Sequence, residues 1–250
     1  MKWALLSDIH ANLHALEACL AHADTQGVQR WAVLGDLVGY GAQPAEVVAR
    51  LQALHRQGAV VLQGNHDQPP QTNTPAAPTM AQATATWTWA QLGEEARSFL
   101  IGLPLAAPVG AAWAVHASAD APERWTYVDS EPKAARCLAA AQTQGGAHGV
   151  FVGHVHHQRL FYPGANQHMM VFSPTAGVAL PLASRRGFVA TVGSVGQPRD
   201  GDTRAMYAVY DAGASTLTFH RVAYDHLSAA DAVRQAGLPE VFAARLEVGR

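Results

Sequence analysis

The stretch KWALLSDIHANLHAL, residues 2–16, decides how the rest of the chain is read. Lys2 to Ser7 is a short apolar run of strand length. Beyond it Leu13, Leu16, Cys19, Leu20 and Ala23 recur at helical spacing until Gly27 stops them. A βα unit is therefore expected at the start of the chain, with Asp8 and His10 at the strand's exit and Asn12 capping the helix. In an extended chain, side chains at i and i+2 project to one side, so this carboxylate and imidazole are expected to converge. That grip suits a metal ion; the alternative is two loop residues facing water.

Working outward, the same arrangement recurs. WAVLG (31–35) reads as a second strand, and PAEVVARLQALHRQG (44–58) as a helix with Pro44 in its first turn and Val47, Val48, Leu51 and Leu54 on one face. AVVLQ (59–63), AAWAV (111–115) and GVFVG (149–153) complete a set of five apolar runs, each ending in a polar cluster. The clusters are Asp8-Ile9-His10, Gly35-Asp36, Gly64-Asn65-His66-Asp67, His116 and Gly153-His154-Val155-His156. In open α/β sheets ligands bind beyond the carboxyl ends of the strands, so five such ends would pool these groups at one edge. Any one fragment is weak, but five in order, each directly behind a strand, point to a shared site.

Composition narrows the class. In 250 residues, 49% are apolar and 14% charged, which supplies a core and argues against disorder. One domain, residues 1–250, accommodates the whole length. With 17 basic and 19 acidic side chains the net charge is -2, so no broad nucleic-acid surface is expected and an anionic substrate must be held locally. Cys19 and Cys137 have no ligand spacing and read as reduced core thiols. No apolar run reaches the roughly 18 residues of a membrane span, and the start of the chain lacks a signal-peptide layout, so a cytoplasmic protein is expected.

The motifs SDIH, GDLVGYG, QGNHD, AVHAS and VGHVHH, spanning residues 7–157, resemble those of the calcineurin-like metallophosphoesterases. VGSVGQPRDGD (192–202) is similar to a segment of small bacterial phosphoesterases of that superfamily, a branch related to diadenosine tetraphosphatases. The resemblance implies an α/β (α+β) fold, a four-layer αββα sandwich of two mixed sheets flanked by helices. It also implies two divalent metal ions per chain. Asp36 would bridge them, Asp8, His10 and His156 would complete one site, and Asn65, His116 and His154 the other. A bridging hydroxide would then attack phosphorus, His66 would protonate the leaving oxygen, and Asp67 would orient His66. Asp, Asn and His without cysteine suit Mn, Fe, Zn, Ni or Co, with Mn the expected ion.

After residue 157 the pattern turns to strands, RLFY, HMMVF, GVALPL, GFVATVG, AMYAVYD and STLTFHRVAY, which imply a second sheet. A short helix around SAADAVRQAG closes the chain. Trp87 and Trp89 are expected to anchor a helix within ATWTWAQLGEEARSFL, and QPPQTNTPAAPT (68–79) reads as a long surface loop, with a lid or rim of the site as the alternative. His14, His22, His55, His148, His157, His168, His220 and His226 show no converging partner and are assigned to surface or packing.

One departure bears on the substrate. Protein phosphatases of the superfamily carry GDxxDRG, whose arginine holds the phosphoryl group, whereas Gly39-Tyr40-Gly41 stands here. The ending GNHD also differs from their GNHE. A monoester dianion needs more positive charge than a diester monoanion, so a small phosphodiester is the expected substrate, with Arg199 as a candidate clamp from elsewhere in the chain. Hydrolysis of a dinucleoside polyphosphate or a phosphomonoester, protein phosphatase activity, and a non-catalytic scaffold of the same fold stay open as alternatives. The oligomeric state is left undetermined.

Overall fold

The computed structural model describes residues 1–70, 80–165, 168–182 and 187–250. The loop expected at 68–79 therefore lies largely outside the described residues. In chain order the elements are β1 (Lys2–Leu6), α1 (Leu13–Thr25), β2 (Arg30–Val33), α2 (Pro44–Arg56), β3 (Val60–Val61), α3 (Met80–Gln91), α4 (Glu94–Ile101), β4 (Ala106–Val109), β5 (Ala112–Val115), α5 (Glu131–Gly145), β6 (Gly149–Val152), β7 (Gln158–Pro163), β8 (Met169–Phe172), β9 (Ala179–Pro181), β10 (Phe188–Val192), β11 (Ala205–Asp211), β12 (Thr216–Val222), α6 (His226–Gln235) and α7 (Glu240–Val248). Two mixed six-stranded sheets result, in the orders β3-β2-β1-β11-β12-β9 and β4-β5-β6-β10-β7-β8, with helices on both outer faces.

Strand alternation builds the layers. On β1, Ala4 and Leu6 face α1 and α2, while Leu5 faces the second sheet; on β6, Val150 and Val152 face α5 and Phe151 faces inward. The layer between the sheets is packed by Leu5, Leu34, Phe151, Phe188, Tyr210 and Phe219. Asn12 caps α1 as expected, its side-chain oxygen accepting the Ala15 N–H at 3.0 Å. Trp89 packs on the core beneath α1 and α2, and Trp87 on the pair α6 and α7.

Four points differ from expectation. Strands before and after residue 157 do not form separate sheets: β1 pairs antiparallel with β11 and β6 pairs parallel with β10, so each sheet mixes early and late strands. Long-range pairing of this kind leaves no periodic trace in sequence. Strand β4 went unanticipated because Pro108 breaks its signal, and it survives by lying at a sheet edge, where a missing N–H costs nothing. The stretch Trp87 to Leu100, in which one helix is expected, holds parts of two, parted at Gly93, whose extended ψ of 168° caps α4. Helix α7 is an addition beyond the expected closing helix, with Phe242, Ala243 and Leu246 buried against α6.

Candidate metal centre

The backbone that delivers the site is not extended. Beyond Leu6 the chain leaves the strand, and Asp8 and His10 have φ of 52° and 49°. Their convergence arises from a left-handed loop, not from alternation along a strand as the sequence suggests. That loop is held against its neighbour by N–H groups of Asp8, His10 and Ala11 donating to the carbonyls of Gly35, Asp36 and Leu37 at 3.0, 3.0 and 2.9 Å. Among the described residues ten non-glycine positions have positive φ, and Asp8, His10, Asp36, His154 and His156 are five of them. Each such residue costs on the order of 1–3 kcal/mol, a strain that concentrates where side chains must be aimed.

Two glycines show how tightly the loops approach. A Cβ on Gly64 would land on the Asp36 carboxylate, and one on Gly153 would strike Ser7 and come within 2.7 Å of Asp8 Oδ2. Both positions therefore exclude any side chain, which is the physical content of the glycines in QGNHD and VGHVHH.

The donor atoms converge. Asp8, Asp36, His116 and His154 each offer a ligand atom within 4.8 Å of the others, as do Asp8, His10 and His156. Asp36 Oδ2 lies 3.3 Å from His116 Nε2 and 3.8 Å from His10 Nε2, so one oxygen faces both groups, while its Oδ1 accepts the His66 N–H at 2.8 Å. Backbone carbonyls set the tautomers. Nδ1–H of His10, His116 and His156 donates to Val38, Leu34 and Gln197 at 3.2, 2.7 and 2.6 Å, because a carbonyl can only accept. In the neutral ring each Nε2 is then a lone pair. His10 Nε2 and His156 Nε2 lie 3.2 Å apart, an arrangement that a cation held by both would satisfy.

Unsatisfied groups mark the same place. Five buried side-chain polar atoms have no hydrogen-bond partner among the described residues, and three are Asp8 Oδ1, Asn65 Oδ1 and His154 Nε2. Orphaned acceptors of this kind cost about 1–3 kcal/mol each unless something electropositive meets them. The residues present thus fit a divalent metal centre with mixed oxygen and nitrogen donors.

Electrostatics agree with that donor set. Burial would raise the Asp8 and Asp36 carboxyls, but facing imidazoles, His156 for Asp8 and His116 for Asp36, hold both well below the usual range. Burial drives His10 well below its ordinary value and, with His116 beside it, brings His154 down to about 4. His116 moves the other way: burial opposes its charge, yet Asp36 pushes it up to about 9. Burial lowers His66 as well.

One candidate, Asp67, is held differently from expectation. Asp67 is buried, and its carboxylate accepts the N–H groups of Leu37, Val38 and Gly64 in place of orienting the His66 ring. Burial and the Asp36 charge push it up to about 7. Arg199 lies at the rim, held by Gln197 Oε1 at 2.8 Å, with its guanidinium carbon 5.9 Å from the centre of the Tyr40 ring. His22 and His220 also have partners after all: His22 Nδ1 lies 2.6 Å from the Tyr207 hydroxyl, and Tyr207 stacks on His220 at 4.9 Å.

Sequence reasoning missed several supports. Tyr127 stacks on His154 at 3.9 Å, Trp125 meets His116 edge-on at 5.9 Å, and the Gln197 carbonyl fixes His156. Trp125 and Tyr127 lie in an aperiodic connection before α5, which carries no signal. Gln197 sits in VGSVGQPRD, where only the segment's glycines and Arg199 drew notice.

Comparison with known proteins accords with this geometry. The model of the calcineurin-like phosphoesterase superfamily domain matches residues 1–215. An uncharacterized protein of Methanocaldococcus jannaschii is 30% identical over 253 residues, covering 99% of this chain and 98% of its own. The crystal structure of a metallophosphoesterase from Sphaerobacter thermophilus is 35% identical, with a TM-score of 0.85 and coverage of 100% of this chain and 99% of that one. A hypothetical protein from Pyrococcus horikoshii shares the fold at 22% identity and a TM-score of 0.75, over 100% of this chain and 98% of its own. With strands, loops and donor atoms all in the places its motifs demand, this chain belongs to the calcineurin-like phosphoesterase superfamily.

Proposed function

We propose that the protein is a dinuclear metal-dependent phosphodiesterase acting on a small anionic ester. The observation that carries this reading is the set of unpartnered donors on Asp8, Asn65 and His154, three residues the motifs single out independently of the structure. Seven donors on one rim exceed what one ion takes and suit two ions about 3.5–4 Å apart. Asp36, with one oxygen facing both groups, would hold the pair together; Asp8, His10 and His156 would hold one ion, and Asn65, His116 and His154 the other. When bound, such ions supply positive charge for the phosphoryl oxygens and lower the pKa of a bound water.

The chain's own residues do the rest. Carbonyls of Val38, Leu34 and Gln197 hold three imidazoles in the ligating tautomer, so no proton need leave them on metal binding when they are neutral. His66, adjacent to Asn65 and edge-on to His10 at 5.1 Å, stands where it would give a proton to the leaving oxygen. Arg199 supplies one guanidinium at the rim. With Tyr40 in place of the usual arginine, the positive charge suits a diester monoanion better than a monoester dianion.

The test is parallel kinetics with added Mn on bis-nitrophenyl phosphate and mono-nitrophenyl phosphate, before and after chelation. Higher kcat/KM on the diester, lost with chelator and restored by Mn, is expected. A clear preference for the monoester rejects the diesterase assignment. A further arm with dinucleoside polyphosphates separates that alternative. His66→Ala should lower kcat by roughly 10²–10⁴ on esters with poor leaving groups, and far less on nitrophenyl esters.

A further inference from the structure

Tyr40 occupies an improbable backbone conformation at the centre of four contacts. Its φ is 66°, and it follows Gly39, at φ 88°, where a Cβ would come within 2.9 Å of His66 Nδ1. The phenol ring lies 4.5 Å from the His66 ring and 4.7 Å from the His10 ring. The Arg199 guanidinium sits 5.9 Å away over its face. Behind it, at 4.9 Å, is Phe242 of α7.

Phe242 belongs to a helical pair that follows the segment matched by the family model, in a part of the chain that the full-length relatives also cover. The match ends at residue 215, whereas α6 and α7 span His226–Gln235 and Glu240–Val248. The pair has its own apolar core, in which Ala230, Val233, Phe242 and Leu246 are buried, and Tyr40 packs against that core. Between the pair and the site remains a cavity of only about 10 Å³, lined by His10, Tyr40, Gln197, Val233 and Phe242 among others. That is room for about one water, so the helices seal the back of the metal centre.

We infer that Tyr40, braced by Phe242, is a positioning residue that aligns His66 and Arg199 together, making the C-terminal helical pair part of the active site. The inference rests on the phosphodiesterase reading above. Its physical basis is that a general acid must keep one orientation toward the leaving oxygen. Among the described residues, the His66 ring is flanked by the rings of His10 and Tyr40. His10 is held by the Val38 carbonyl, and Tyr40 by its packing on Phe242. A left-handed tyrosine relaxes when its support is removed, and Phe242 is that support. The face of the same ring also holds the guanidinium of Arg199. One aromatic side chain thereby takes the place of a phosphate-binding arginine and brings in another from a different loop.

The experiment uses the full chain with saturating Mn and two diesters, bis-nitrophenyl phosphate and diphenyl phosphate, whose leaving group is poorer. Phe242→Ala should lower kcat about tenfold on diphenyl phosphate and less than about threefold on bis-nitrophenyl phosphate, at unchanged metal content. Phe242→Leu, which refills most of the space, should restore most of that loss. Tyr40→Leu, with the helical pair intact, should show the same leaving-group pattern and also raise KM on both esters by about threefold or more, through loss of the Arg199 platform. With diamagnetic Zn in place of Mn, the ¹⁵N imidazole resonance of His66, assigned by its absence in His66→Ala, should shift in Phe242→Ala and not in Phe242→Leu. Equal losses on both esters in the Phe242 and Tyr40 variants, or an unmoved His66 resonance, overturn the inference. Should Phe242→Ala not fold, Tyr40→Leu decides by the same two readouts. If His66→Ala itself shows no dependence on leaving group, the general-acid reading fails instead, and the resonance shift alone then judges whether Tyr40 positions the ring.

Discussion

Asp67 Oδ1 accepts the backbone N–H of Leu37 at 2.8 Å, joining the turn after β3 to the loop after β2 across thirty residues of sequence. The same carboxylate takes the N–H groups of Val38 and Gly64. Asp67 therefore shapes the two loops that carry Asp36, Asn65 and His66. In Asp67→Asn the amide oxygen can still accept from Leu37 and Val38, but the amide NH₂ meets the Gly64 N–H donor to donor. The substitution is expected to cost about 1–3 kcal/mol in urea unfolding and to lower turnover equally on good and poor leaving groups. A loss confined to poor leaving groups would return Asp67 to the role of orienting His66.

Asp36 is the second test. Its Oδ2 faces His116 and His10 while Oδ1 holds the His66 N–H. Asp36→Asn should lose metal from both groups of donors and nearly all activity while retaining the folded spectrum, since the apolar layers lie elsewhere. Metal analysis and circular dichroism of the purified variant check this, and two ions per chain with normal turnover would refute the assignment.

Gly153→Ala probes how closely the loops approach. The new methyl group would strike Ser7 and crowd Asp8 Oδ2, so the loop after β6 must move away from the end of β1. Overpacking of this kind costs about 1–3 kcal/mol, and displacement of Asp8 should weaken metal binding in the same variant. Thermal unfolding together with a metal titration separates the two effects. Stability and affinity both unchanged would show that the loops have slack.

Away from the candidate metal centre, His220 is expected to make stability depend on pH. Burial, with His22 nearby, lowers its pKa to about 4, whereas an unfolded histidine titrates near 6.5. Between those values the unfolded chain binds the extra proton, so its contribution is full above about pH 6.5 and is lost as pH falls toward 4. The groups facing it are His22 and Tyr207. His220→Phe should flatten this part of the pH profile of unfolding, and an unchanged profile would place the acid sensitivity elsewhere.

Much of the protein was legible in its residues. Each metal-site candidate follows a strand exit because short apolar runs and the polar clusters behind them are local patterns, readable without a partner. The layered α/β class followed from the same alternation. Tertiary structure decided what local pattern cannot carry. Asp8 and His10 converge through left-handed loops held by carbonyls of the neighbouring loop, not through an extended chain. Pairing of β1 with β11 and of β6 with β10 interleaved strands that sequence order had kept apart. Asp67 found backbone amides thirty residues away, and Tyr40, read only as an absent arginine, became the contact between His66, Arg199 and Phe242. Residue identity determined which chemistry was on hand, because donor atoms belong to side chains. Which donor faces which was decided by the fold, because distances between segments remote in sequence exist only once the sheets have paired.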